Sequence, residues 1–479
     1  WETMLAGFKL GAVLLPTTVM LGPEQIDERI TRSEATWVVT NPENTAKFDS
    51  VPGDFEVITT STDQLPSVTV HPQHLYADAD MAPTQFEVTE PTPADDVALI
   101  YFTSGTTSRS KMVAHTHTTY PVGHLSTLYW IGLEPGDVHL NVASPGWAKH
   151  AWSNFFAPLI GEATIFLYNY ARFDAQEMMS VMDAEGVTSV CAPPTVWRML
   201  IQADMTKMIT PPRKVLAAGE PLNPVVIEAV NTAWNADIRD GFGQTESTLQ
   251  IANTPGQNVK AGSLGRVLPG YNVVLIDPAT DEVVEGPGEG EVCLTIDPRP
   301  VGLMAGYHKD PAKNAAAFRD GYYRTGDIMY RDQDDVFTYI GRSDDVFKAS
   351  DYKLSPFELE SAIIEHPGVS EAAVVPSPDP IRLAAPKAYV VLAEGYTPDA
   401  ETAQDILAFT DSKLPPYAKI RRLEFSELPK TISGKIRRVE LRKKEAEFHG
   451  ADGEMTEPSL AARTTTGGYN HEFAASDFK

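Results

Sequence analysis

The chain has 479 residues, 42% hydrophobic and 22% charged, an ordinary globular composition with length for two or three cores. Thirty-nine basic against 65 acidic residues give a formal net charge of −26, which argues against general nucleic-acid or anionic-membrane binding and for a soluble cytoplasmic protein. Two cysteines, Cys191 and Cys293, sit in apolar runs without metal spacing or a disulfide framework, and read as reduced packing residues. At the start, Trp1, Leu5 and Phe8 fall on one helical face, and residues 12–15 read as a short strand before Pro16. Lys9 and Pro16 interrupt the apolar run of residues 4–20, so it is neither a membrane span nor a signal peptide. Residues 41–93, rich in Pro, Thr, Ser, Asp and Glu, read as a surface excursion.

Residues 97–102 are six consecutive apolar residues and predict a buried strand. The string that follows, Thr103-Ser-Gly-Thr-Thr-Ser-Arg-Ser-Lys111, offers backbone N–H groups, hydroxyls and one cation, which suits a polyphosphate; an ordinary polar turn is the other reading. It lacks the two-glycine spacing of a Walker A loop. His115 and His117 read as helix-start residues. From 97 to about 255, short apolar runs alternate with helical periods, predicting α/β units around a parallel sheet. Residues 262–340 change to strands separated by Pro, Gly and Asp turns, an antiparallel β subdomain. Beyond Gly341-Arg-Ser-Asp-Asp345 lies a smaller α/β module, to about 447. Residues 448–479, with few core residues, are expected to be disordered.

Four further strings carry candidate chemistry. In Asp240-Gly-Phe-Gly-Gln-Thr-Glu246, Thr245 supplies a hydroxyl for a phosphate and Glu246 a carboxylate suited to Mg²⁺, while Gly241 and Gly243 let backbone approach a flat ligand. Ala218-Gly-Glu-Pro-Leu222 reads as a turn before a helix marked by Asn223-Pro224. In Tyr323-Arg-Thr-Gly-Asp327 the aspartate is by itself a turn residue. In Lys430-Thr-Ile-Ser-Gly-Lys-Ile-Arg-Arg438, Lys435 is either one more surface lysine or a compact charge able to meet two anions.

In this order, across residues 101–438, these strings resemble the adenylate-forming (AMP-binding) acyl-CoA synthetase superfamily, and Lys111-Met112 is similar to its medium-chain branch. The resemblance implies an α/β fold: a large N-terminal domain (1–341) with parallel α/β sheets and a small β-barrel subdomain (about 262–340), then a small mobile α/β C-terminal domain (342–447). It implies ATP, Mg²⁺ and CoA, and an acid activated as acyl-adenylate before transfer to the thiol. ATP binding falls to Thr103, Ser104, Gly105, Thr106, Thr107 and Lys111, to the adenine-side turn Gly219, Glu220 and Pro221, and to Asp240, Gly241, Phe242, Gly243, Gln244 and Thr245. Asp327 and Arg342 match the ribose contacts, Glu246 the metal ligand, and Lys435, with Glu246 and Thr245, the catalytic set. Asp344 matches the hinge, within 342–345.

The loop with Ser350, Asp351, Tyr352 and Lys353, together with Arg382, matches the CoA side. Trp147 and His150 match acid-lining positions, although they and Trp152 serve equally as core packing. The family's acetyl-specific members carry Trp at the position of Gly243, so glycine there implies an acid larger than acetate, medium-chain or aryl. Residues 419–444 carry ten Lys/Arg and three Glu, a solvated basic face or a docking surface for nucleotide phosphates. Ser108 and Ser110 replace the family's usual Gly and Pro, and Asp351 and Lys353 depart from its CoA loop. The family also carries elements ahead of the position matched by Trp1, so a preceding N-terminal part is expected. Two alternatives stand beside the CoA ligase: an adenylating ligase for a carrier-protein thiol, and a non-catalytic nucleotide-binding relative. The partners expected are a carboxylic acid, ATP and CoA, with no nucleic acid or integral membrane; the acid and the oligomeric state are not specified.

Overall fold

The computed structural model describes residues 1–60, 71–88, 90–103, 110–170, 172–220, 222–349, 352–379, 383–431, 435–449 and 472–478. Helix α1 (Glu2–Leu10) ends at Gly11, whose φ of 70° is the left-handed cap a glycine adopts freely. Phe8 packs on Phe155 and Phe156, and Trp1 meets His150 edge-on, while Leu5 on the same predicted face stays half-exposed. Of the strand expected over 12–15, the structure keeps a single parallel bridge, Leu14 to Leu99.

Helix α2 (Pro23–Ser33) and strands β1 (Trp37–Thr40), β2 (Glu56–Thr59) and β3 (Gln73–Leu75) form a parallel three-stranded layer. Its own core holds Leu21, Ile26, Ile30, Phe48, Val51, Phe55 and Val57. This corrects the reading of a surface excursion for residues 41–60 and 73–75, whereas the described residues of 80–93 are almost all exposed. Strands of three or four residues are too short to show a period against a Pro- and Asp-rich background.

Strands β4 (Val97–Thr103) and β5 (Lys111–Thr116) pair antiparallel with Thr103 opposite Lys111, so the two ends of the phosphate-loop candidate are held side by side. His115 is buried in β5 and is not at a helix start, because helix α3 (Thr119–Ile131) begins after Thr118. There follow β6 (Val138–Asn141), α4 (Ala148–Ala151), a π-turn over Trp152–Phe156, α5 (Ala157–Ile160), β7 (Thr164–Phe166), α6 (Ala175–Ala184) and β8 (Ser189–Ala192). Then come α7 (Pro194–Leu200), β9 (Lys214–Ala218), α8 (Pro224–Trp234), β10 (Arg239–Gln244), β11 (Thr248–Ala252) and β12 (Arg266–Val267).

The resulting seven-stranded sheet has the order β12-β11-β10-β9-β8-β6-β7, parallel from β10 to β7. One face packs Val190 and Val215 against Met178, Trp197 and Val226 of α6, α7 and α8. The other packs Cys191, Leu216 and Leu249 against Tyr120, Trp130 and Phe156 of α3 and the π-turn. Both faces are covered, which is why the parallel strands read as short unbroken apolar runs. Cys191 and Cys293 are free, buried packing residues.

Strands β13 (Val273–Ile276), β14 (Gly288–Thr295), β16 (Phe318–Arg319), β17 (Tyr322–Arg331) and β18 (Phe337–Arg342) form an antiparallel sheet; β15 (Gly306–Tyr307), ahead of helix α9 (Pro311–Ala317), returns to pair with β5. The C-terminal part has a hairpin of β19 (Phe347–Ala349) and β20 (Tyr352–Leu354), helix α10 (Pro356–Ile364), strands β21 (Val369–Asp379) and β22 (Leu383–Leu392), helix α11 (Ala400–Lys413), strand β23 (Arg422–Phe425) and helix α12 (Arg438–His449).

Strand β24 (Glu472–Ala474) closes that sheet, in the order β21-β22-β23-β24, and Phe473 packs edge-on against Phe425. The expectation of disorder over 448–479 is therefore wrong for 472–478; residues 450–471 lie outside the described residues. One three-residue strand, with Phe473 inside it and Phe478 after it packed on the core, is enough to hold the segment, and so little apolar sequence gives no periodic signal. Among the described residues, no helix is long and apolar enough to cross a membrane.

Candidate active site

The C-terminal ends of β9 and β10, where ligands collect in open parallel sheets, bring the first two strings together. Register sets Ala217 beside Asp240 and Ala218 beside Gly241. Asp240 is buried and accepts the Gly241 N–H at 2.8 Å; burial pushes its carboxyl up to about 7, against the opposing pull of the Gly241 and Leu222 N–H groups and of Lys149. Lys149 was not singled out from the sequence. Its Nζ donates to the Ala218 carbonyl at 3.0 Å, and its pKa is lowered by burial and, more weakly, by the charge of Lys435. The sequence signal was there: a lone cation in the otherwise uncharged stretch Gly146–Trp152. Gly219 follows with φ 107°, and Glu220 accepts from the Thr195 hydroxyl at 3.5 Å; Pro221 lies outside the described residues.

Asp327 is the hub of the second cluster. Strand register places it opposite Arg342. Its buried carboxylate accepts from Arg342 Nη1 at 3.0 Å, from Gln244 Nε2 at 2.5 Å and from the Tyr339 hydroxyl at 3.0 Å. Burial raises its pKa while the Arg342 guanidinium opposes the rise. Arg342 also donates to the Thr325 carbonyl at 2.9 Å, and the Tyr323 hydroxyl donates to Gln244 Oε1 at 2.8 Å. Gly326 has φ 73°, and a Cβ there would stand 2.7 Å from Arg342 Nη2, so both conformation and space call for glycine.

Glu246 sits beyond Gln244, in the turn after β10. Its carboxylate accepts the Tyr307 hydroxyl at 3.0 Å, and Lys111 Nζ stands 3.9 Å away and 3.4 Å from that same hydroxyl. Tyr307 is a second residue missed from sequence; it arrives through the pairing of β15 with β5. The Thr245 carbonyl accepts from His115 Nε2 at 2.7 Å, and burial pushes that imidazole down to about 4, leaving it neutral. Of the phosphate-loop residues, Thr103 and Lys111 are placed at the ends of β4 and β5, while Ser104, Gly105, Thr106 and Thr107 lie outside the described residues. The oxygen donors at Glu246 fit Mg²⁺, a hard cation that takes carboxylate and phosphate oxygens.

The hinge candidate separates two carboxylates. Asp344 faces back to Arg342 Nε at 3.5 Å, whereas Asp345 pairs with Arg442 of α12 and lies 3.8 Å from Arg438. Lys435 is exposed, its backbone held by a paired Thr431 N–H to Lys435 carbonyl contact at 2.8 Å. On the CoA side, Tyr352 stacks on Tyr417 with ring centroids 4.3 Å apart, and Lys353 pairs with Glu289 of β14. Ser350, Asp351 and Arg382 lie outside the described residues.

The acid-lining candidates divide. Trp152 is core, its Nε1 donating to the Tyr120 hydroxyl at 2.8 Å. His150 is buried against Trp1 and within 3.2 Å of Asn154 Nδ2, and Trp147 is half-buried at the start of α4. Phe242 packs toward Tyr339 and the antiparallel sheet. Gly243 owes its identity to the neighbouring strand: a Cβ would fall 2.1 Å from the Thr248 carbonyl oxygen, beside a register shift between β10 and β11. In this backbone any side chain at 243 would require the β11 strand to shift. Gly243→Ala is expected to cost about 1–3 kcal/mol, as overpacking does, read as a lowered denaturation midpoint; an unchanged midpoint would show that the strands separate freely here.

The AMP-binding enzyme family model matches residues 1–308, and the model of that enzyme's C-terminal domain matches 358–435. A 4-hydroxybutyrate–CoA ligase from Metallosphaera sedula is 47% identical over 361 residues, covering 75% of this chain and 64% of that protein, so the match spans just under two thirds of its length. The mitochondrial acyl-coenzyme A synthetase ACSM3 of Rattus norvegicus is 35% identical, covering 93% of this chain and 77% of its own. The structure of the anthranilate CoA ligase AuaEII with anthranoyl-AMP superposes with a TM-score of 0.81 at 26% identity, covering 92% of this chain and 84% of the other. The α/β fold is therefore that of adenylate-forming enzymes, and the chain belongs to the AMP-binding enzyme family, among its acyl-CoA synthetases, which are AMP-forming acid–thiol ligases.

Proposed function

We propose that this chain activates a short- to medium-chain or aryl carboxylic acid with ATP and transfers the acyl group to CoA. The observation that carries the reading is the joining of Asp327, Arg342 and Gln244 into one polar cluster beside the Glu246–Lys111 pair, at the ends of β9 and β10. A carboxylate oxygen of the acid attacks the α-phosphorus and pyrophosphate leaves; the CoA sulfur then attacks the acyl carbonyl and AMP leaves. Asp327 is suited to take the ribose hydroxyls, and Lys111 and Thr103 to face phosphate. Glu246 would hold Mg²⁺, which when bound offsets phosphate charge. Lys435 serves to position the two reacting anions.

We divide the chain at 341/342, with the module 342–447 turning about Asp344 between the two steps. The opposed pairing of Asp344 and Asp345 supports this division. Relatives named for 4-hydroxybutyrate, anthranilate and benzoate support an acid larger than acetate. The pairing of Lys353 with Glu289 favours, as a second reading, delivery to a carrier-protein thiol.

The test is acid-dependent ATP–pyrophosphate exchange across acetate, butyrate, 4-hydroxybutyrate, octanoate and benzoate, followed by CoA. Exchange with one acid and AMP plus thioester on adding CoA is the expected result. Exchange without thioester would move the function to the carrier protein, and ATP binding without exchange for any acid would end the ligase reading.

A further inference from the structure

The turn that presents Glu246 is held from three sides. Met304 N–H donates to the Glu246 carbonyl at 2.7 Å, the Tyr307 hydroxyl reaches the carboxylate at 3.0 Å, and His115 Nε2 lies 2.7 Å from the Thr245 carbonyl. A carbonyl only accepts, so Nε2 carries the proton. The other ring nitrogen, Nδ1, lies 3.1 Å from the Thr119 hydroxyl, whose oxygen already accepts the Thr116 N–H at 2.9 Å and so has its proton to give. The tautomer is thereby set by Thr119. His115 itself stands on β5, four residues after Lys111, so one strand carries both the phosphate-facing lysine and the strut beneath the carboxylate it approaches.

We propose that His115 is a positioning residue, whose imidazole N–H holds the Thr245 carbonyl and thereby aims the Glu246 carboxylate at the metal–phosphate position. The ring is fully buried. Its removal leaves a carbonyl without its donor next to the one carboxylate whose direction matters here, and the effect should appear in the metal-dependent part of nucleotide binding. The assignment of Glu246 rests on the ligase reading above, and the experiment separates the two.

The experiment is calorimetric titration of the full chain with ATP, with and without Mg²⁺, for wild type, His115→Gln, His115→Asn and His115→Phe, beside pyrophosphate exchange with the active acid. Gln places an amide N–H near the Nε2 position; Asn places one near Nδ1. In His115→Phe the gain in ATP affinity on adding Mg²⁺ is expected to shrink about tenfold, the scale of one buried hydrogen bond to a site group. Binding without Mg²⁺ should stay unchanged, and the KM for Mg²⁺–ATP in exchange should rise by a matching factor. His115→Gln should retain most of the gain and His115→Asn should not; that contrast decides the matter even if His115→Phe fails to fold. Equal losses in Gln and Asn, or an undiminished gain in Phe, would overturn the proposal, as would a wild type that gains nothing from Mg²⁺. Wild-type protein that binds Mg²⁺–ATP and exchanges nothing would sink the ligase reading while leaving this comparison readable.

Discussion

Lys435→Ala is expected to lower kcat for acid-dependent pyrophosphate exchange by about 10²–10³-fold, the usual cost of losing one preorganised charge at a transition state. Thioester formation from supplied acyl-adenylate and CoA should persist, since the lysine is assigned to the first step only. The structure makes this a clean experiment. Lys435 is exposed and its loop is held through its backbone, by Thr431 Oγ1 at 3.1 Å from the Lys435 N–H and by the Thr431 N–H to carbonyl contact. Truncating an exposed side chain away from buried features changes stability by only about 0.5 kcal/mol. Equal loss of both half-reactions would remove the role assigned to it, and a fully active variant would return it to the surface lysines.

Lys387→Met is expected to destabilise the C-terminal part by about 3–5 kcal/mol, the cost of leaving buried charge without its partner. The ammonium is enclosed by Glu424 at 2.8 Å, Glu445 at 2.6 Å and Glu472 at 2.7 Å, all buried. Three carboxylates this close have the spacing of a metal site, but the lysine fills it. Burial alone would raise the Glu445 pKa; Lys387, with Ser377 and Tyr389, outweighs it and holds the group below its ordinary 4.5. A carboxylate depressed in the folded state contributes stability that is full above its unfolded pKa and is lost as pH falls through the folded one. Wild-type stability should therefore drop on acidification below about pH 4.5. Without the cation, burial would raise the Glu445 carboxyl, so the variant should gain stability, relative to wild type, on going from pH 7.5 to about 5. Urea unfolding at the two pH values reads both. A loss under about 1 kcal/mol with no reversal of slope would mean that desolvation had cancelled the attraction within the cage.

Much of the site was legible because its parts are contiguous. The string Asp240–Glu246, the ends of the phosphate loop and the Asp327 and Lys435 strings each occupy a few successive residues, and short apolar runs predicted α/β units around a parallel sheet between 97 and about 255. What failed in the reading failed for lack of local signal. The β1–β3 layer consists of strands of three and four residues, His115 looks like a helix-start polar residue until β5 is seen, and β24 is three residues after a long polar stretch.

The sequence by itself determined the family, the order of its chemical strings and the alternation of buried strands, because each rests on neighbouring residues and their period. The tertiary structure alone decided which distant groups meet. Register across β17 and β18 put Arg342 on Asp327, and the return of β15 to β5 put Tyr307 on Glu246. The approach of β11 made Gly243 a backbone necessity, and the last strand supplied Glu472 to Lys387. The Arg342–Asp327, Tyr307–Glu246 and Lys387–Glu472 contacts join residues 15, 61 and 85 positions apart, and they follow from sheet register and burial, which no local pattern encodes.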